Sequence, residues 1–177
     1  MSRHRQAQGG FNIIELMVVV GLIGLLMLIG VPSFQTYIQN VQTRTGAEAL
    51  LAGMQLAKGE AIRRNEPVQL KILGASTAWQ VALGSAPDTA LQSRAHEEGS
   101  ENAIIVVVPA DADTITFNGL GRVSANADSS PSIQQITVDN PKIPNIAERR
   151  PLRVLAPAGG AIKMCDPNVP LSDPRTC

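Results

Sequence analysis

Glu15 is the first residue in this chain whose placement demands chemistry. It stands near the head of an apolar run, and no other charged residue follows until Arg44. A carboxylate in hydrocarbon costs about 2.5–3.5 kcal/mol on insertion scales, so such a group normally has a cationic partner. Cys165 and Cys177 are the only cysteines. They could form a disulfide, stay as free thiols or ligate a metal, although no matching His/Cys set accompanies them. His4 and His96 are the only histidines, and His96 lies in RAHEEGSE beside Glu97, Glu98 and Glu101. One imidazole among glutamates reads better as a solvated charged loop than as a metal centre. No Ser/His/Asp or Cys/His arrangement has supporting flanks. Gly119-Leu120-Gly121 lacks the third glycine of a dinucleotide loop and opens no helical pattern. These residues call for no cofactor and no metal, and they point away from an enzyme.

The elements that must position these residues are legible in outline. The chain has 177 residues with 15 Lys+Arg against 15 Asp+Glu, so net charge exerts no general pull toward nucleic acid. Aromatics are only 3%, which leaves the core to Val, Ile, Leu and Ala. Residues 11–31 are apolar or glycine except Asn12 and Glu15. As a helix they would span about 31 Å, close to the thickness of a hydrocarbon core. Arg3 and Arg5 precede the run, and positive charge there stays cytoplasmic, sending the remainder outward. A secretory signal would have a shorter apolar stretch with small residues after it. Here Gly9-Gly10 comes before the run.

Residues 32–64 continue the helical pattern. Phe34, Tyr37, Ile38, Val41, Ala47, Leu50, Leu51, Met54, Ala57, Ala61 and Ile62 recur mostly at steps of three and four, and Gln39, Gln42, Arg44, Glu48, Lys58 and Arg63 take the other face. The natural reading is one long helix, which Gly46, Gly53 and Gly59 weaken and which Asn65 with Pro67 should end. β-like runs follow at 68–73, 79–83, 103–108, 114–118, 133–138, 152–156 and 161–165. The first two flank a turn and suggest a hairpin. Stretches 85–101 and 125–132 read as exposed loops. The expected fold is α+β: a long helical spine packed on a β-rich head formed by residues 65–177.

The stretch GGFNIIELMVVVGLIGLLMLIGVPSF resembles the signal of type IV pilins and pseudopilins: a short basic leader, Gly, Phe, and Glu at the fifth residue after the cut. The resemblance implies that residues 1–10 are a leader removed by a prepilin peptidase between Gly10 and Phe11, and that Phe11 becomes N-methylated. It makes Glu15 an assembly residue and Pro32 the bend of the spine. Asn12 departs from the commoner Thr. Residues 11–31 would then cross the inner membrane before entering a filament core, with the head in the periplasm. ITFNGLGRV (115–123) and RVLAPAGGAIKMCDPN…DPRTC resemble the GspH/FimT branch of minor pilins, particularly FimU-type members. An outward-facing head meets an oxidising compartment, where a Cys165–Cys177 bridge can form and would stabilise by roughly 3 kcal/mol. The implied partners are other minor pilins and the major pilin, in a priming or tip complex.

Two alternatives stay open: a GspH-like pseudopilin of type II secretion, and a FimT-like subunit that binds DNA. In the latter group a Gly-Arg-x-Arg stretch grips phosphate. The corresponding Gly160-Ala161-Ile162-Lys163 lacks the first arginine and has Lys for the second. Arg149, Arg150, Arg153 and Lys163 are the residues a weak nucleic-acid contact would use. A solvated strand edge accounts for them at least as well.

Overall fold

A computed structural model describes residues 12–177. The chain divides into two compact units, one ending at Tyr37 and the other running from Ile38 to Cys177. One helix, α1 (Ile13–Arg64), contributes to both.

In the first unit α1 begins at a cap that Asn12 supplies. The Ile14 amide faces the Asn12 Oδ1 at 3.5 Å, and the Leu16 amide donates to the Asn12 carbonyl at 3.1 Å. Apolar side chains are exposed all along this stretch, from Ile13 (79% exposed) to Leu28 (78%). No single helix among the described residues is long and apolar enough to cross a membrane, although Ile13–Leu28 joined to Ser33–Arg64 passes by length and composition.

In the second unit two glycines of α1, Gly46 and Gly53, face its partners, whereas Gly59 meets nothing within 4 Å. A Cβ on Gly53 would lie 2.8 Å from both the Leu70 Cδ1 and the Trp79 Cε2, and one on Gly46 would lie 2.8 Å from the Thr77 Cγ2. The helix forfeits some propensity at each site, and the sheet gains close approach. Ala47, Leu50, Met54, Ala57 and Ala61 alternate steps of three and four and are fully buried. The helix stops where the periodicity predicts. Asn65 adopts φ +53°, a left-handed position that Asn tolerates.

Nine strands follow, all antiparallel where they pair. β1 (Val68–Ile72), β2 (Trp79–Leu83), β3 (Ala86–Arg94), β5 (Thr114–Phe117) and β6 (Val123–Ser124) form a sheet in the order β3-β2-β1-β5-β6. β4 (Ile104–Val108), β7 (Gln135–Asp139), β8 (Leu152–Leu155) and β9 (Lys163–Cys165) form a second, ordered β4-β7-β8-β9. Register aligns apolar rows across each sheet. Val81, Leu70 and Ile115 are neighbours in the first, and Val107, Ile136, Val154 and Met164 in the second. Both rows join the helix side chains in one core cluster. The fold is α+β, and the expected β1–β2 hairpin forms.

One expectation fails. The stretch expected as a loop over 85–101 contains β3, whose nine residues are exposed almost throughout. An edge strand with both faces in solvent needs no alternation of apolar and polar residues, so periodicity had nothing to detect. The polar stretch 125–132 is irregular, but Asn126 within it is buried. Its amide reaches the Thr114 and Pro131 carbonyls and accepts from the Thr116 hydroxyl at 2.8 Å.

Candidate assembly and bracing sites

Glu15 lies in the first turn of α1, where the helix dipole favours a negative charge. It is exposed and makes no hydrogen bond or ion pair with another described residue. Gly10 and Phe11, the expected cleavage and methylation positions, lie outside the described residues. Pro32 falls within α1.

The expected disulfide is formed. Cys165, buried at the end of β9, is bonded to Cys177, with Cα atoms 5.1 Å apart. The enclosed tail is folded rather than merely tethered. The Asp166 amide donates to the Arg175 carbonyl at 2.8 Å, and Asp166 and Thr176 form a parallel bridge. Arg175 grips Asp173 through Nε at 3.0 Å and Nη2 at 2.8 Å. These hydrogen bonds hold the Asp173 carboxyl down at about 2.

The ITFNGLGRV turn is a packing device. Phe117 is fully buried, and the Asn118 Oδ1 accepts the Leu120 and Arg122 amides. Gly121 has φ +73°, and a Cβ there would come within 2.8 Å of the Ile62 Cδ1. A side chain on Gly119 would collide with Asn65. Gly160, at φ +76°, backs directly onto the Gly121 carbonyl, and the Lys58 Nζ donates to the Gly160 carbonyl at 2.8 Å. The turn, the Gly159-Gly160 corner and the end of α1 therefore close on one another only because these glycines lack side chains.

A second brace escaped sequence reasoning. Fully buried Asn140 donates to the Gln39 carbonyl and to its Oε1, at 3.2 and 2.8 Å. Asn40 donates to the Glu148 carbonyl at 2.9 Å and accepts the Arg150 amide at 3.0 Å. Gln39 and Lys58, on the polar face of the helix by periodicity, both bond the head. A buried asparagine is visible in a sequence only as one polar residue among many. No periodic signal marks it.

The four basic candidates fall in two places: Arg149 and Arg150 just before β8, and Arg153 and Lys163 on the paired strands β8 and β9. Arg149 is spent on structure: its Nε donates to the Ile143 carbonyl at 2.8 Å, and its Nη1 meets Asp139 at 3.4 Å. Arg153 sits in β8 between Thr137 and Cys165, with a buried Nε that has no hydrogen-bond partner among the described residues. Lys163 is exposed on β9, and Arg150 is exposed beyond the Asn40 clamp. His96 contacts Glu97 at 3.2 Å in an exposed turn. Among the described residues no group of three metal-ligating side chains comes together.

The helix is thus bare and apolar over its first half, and the antiparallel β head is closed by a tail disulfide. The family model described as type II transport protein GspH matches residues 46–166, about two thirds of the chain. The chain belongs to the GspH family, whose members are structural proteins rather than enzymes. It is 39% identical to a type IV major alpha-pilin of Moraxella bovis over 62 residues, 35% of this chain and 39% of that one. A fimbrial protein of Pseudomonas aeruginosa is 36% identical over 78 residues, 44% of this chain and 50% of that one. The matches thus span half or less of these two relatives' length. The crystal structure of the P. aeruginosa type IV minor pilin FimU superposes with a TM-score of 0.49 at 18% identity, over 76% of this chain and 93% of that one. The solution structure of E. coli GspH gives 0.45 at 15% identity, over 73% and 91%.

Proposed function

We propose that this chain is a minor pilin that takes part in type IV pilus assembly, in a priming or tip complex with other minor pilins and the major pilin. One observation carries the proposal: the exposed apolar first half of α1, with one carboxylate in its first turn that no other described residue partners. In this reading a prepilin peptidase removes residues 1–10 and frees a cationic amine on Phe11, which is then methylated. That amine, one helical turn from Glu15 or on an adjacent subunit, neutralises the carboxylate. Only one axial stagger between subunits satisfies both charges, so the pair fixes register. Residues 11–31 rest in the inner membrane until assembly moves them into the filament core. Pro32 supplies the bend.

Glu15→Gln is the test. It should leave the head folded and abolish incorporation into sheared fibres, read by immunoblot. Normal incorporation would overturn the proposal. The description of the matching family favours a second reading, a minor pseudopilin of type II secretion. Deletion separates the two: loss of surface fibres with intact secretion supports the pilus, and the converse supports the pseudopilus.

A further inference from the structure

β4 is an edge strand that the fold leaves undefended. It ends the order β4-β7-β8-β9, and among the described residues no strand pairs with its outer side. Its sequence is Ile-Ile-Val-Val-Val, without charge or proline, and Ile104, Val106 (59% exposed) and Val108 show their side chains to solvent. Natural sheets normally blunt such edges with charge, proline, bulges or shortness. The other edges here do so. β3 carries Pro87, Asp88 and two register shifts, β6 has two residues, and β9 has three and runs into the disulfide tail. Beside β4 lies a groove of about 510 Å³, whose lining includes Ile72, Gly74, Ile105, Val107 and Asp111. Acid stands at both ends of the strand. Exposed Glu101 precedes it by three residues and exposed Asp111 follows it by three. Asp113, next in line, is already matched by Lys71 at 3.5 Å.

We propose that β4 receives an extended segment of a different subunit, apolar on alternate residues and basic at both ends, which adds to the sheet as a fifth strand. Main-chain hydrogen bonds supply the attraction, while Val106 and its neighbours select alternating apolar side chains. Glu101 and Asp111 favour a basic-ended segment and set its extent. A segment of five residues covers about 17 Å, the length of β4. The choice of a subunit as partner rests on the filament reading above.

The probe is a fluorescein-labelled peptide of alternating Val and Thr with Lys at both ends, titrated onto the full chain in detergent and followed by anisotropy. Two companions carry Glu ends or a central Pro. The Lys-ended peptide should saturate, and each companion should bind about ten-fold more weakly or worse. Val106→Lys should abolish binding, and Val106→Thr, which keeps the branched shape, should retain it. Glu101→Lys with Asp111→Lys should reverse the preference between Lys and Glu ends. Absence of saturation by about 1 mM, equal binding of all three peptides, or indifference to Val106→Lys overturns the proposal. So does self-association that Val106→Lys removes, since a second copy would then fill the groove. Glu15→Gln should leave these titrations unchanged, so failure of the filament reading and failure of this one are separately visible.

Discussion

Gly160 and Gly121 show how much the head depends on atoms that are absent. Both hold φ above +70°, and a methyl on Gly160 would run into the Gly121 carbonyl. Gly160→Ala therefore combines left-handed strain with a backbone clash. It should destabilise by more than about 2 kcal/mol in urea unfolding, whereas Gly159→Ala, with nothing within 4 Å, should stay within about 0.5 kcal/mol. Asp173 gives a residue-scale prediction of another kind. Hydrogen bonds from Arg175 lower its folded pKa from 3.8 to about 2. A depressed carboxylate contributes stability that is present above the unfolded pKa and is lost as pH falls through the folded one. Asp173→Asn should accordingly flatten the acid limb of the stability profile between about pH 4 and pH 2, and leave its slope near neutrality unchanged. Thermal melts across that range would measure it, and the effect should be small because the pair is exposed.

At the scale of elements, the tail is held by one covalent bond and a handful of local hydrogen bonds. Cys177→Ser should lower stability by roughly 3 kcal/mol, read by denaturant unfolding under oxidising conditions. Much of this level was legible in advance. The spine's end at Arg64, the hairpin of β1 and β2, and every strand with a buried face announce themselves by periodicity or by β-branched runs. What stayed hidden has a common cause. β3 buries neither face, β6 is two residues long, and Asn140 and Asn126 act by hydrogen bonds whose partners lie far along the chain. Gly46 and Gly53 were legible as a weakness of α1 and only the structure explains them, because Thr77, Leu70 and Trp79 close in where a side chain would stand. Of the candidate site residues, Glu15 and the cysteine pair stand out from sequence alone. The partners of Arg149, a carbonyl and a carboxylate, become its neighbours only through the fold and left no mark in the sequence.

The molecule as a whole separates into a part that completes itself and a part that does not. Among the described residues every buried apolar side chain belongs to the unit that starts at Ile38, and the first of them along the chain is Ala47. Among the described residues the first unit contributes only exposed apolar surface. Stability and assembly should therefore be dissociable. A chain lacking residues 1–37 should fold, with a urea midpoint matching that of the full chain in detergent to within the error of extrapolation. A markedly lower midpoint would mean that the apolar half of α1 supports the head, contrary to the division of the core. The same logic gives Glu15 its meaning. On the proposed reading Glu15 lies in lipid, where its desolvation is unfavourable and is offset by a cation outside the described residues. If cleavage before Phe11 provides it, mass spectrometry of the mature chain should find an N-methylated Phe11 at the terminus. Gly10 substitutions that block cleavage should abolish fibre incorporation as completely as Glu15→Gln. Incorporation of an unprocessed Gly10 variant would show that the carboxylate finds its counter-charge elsewhere.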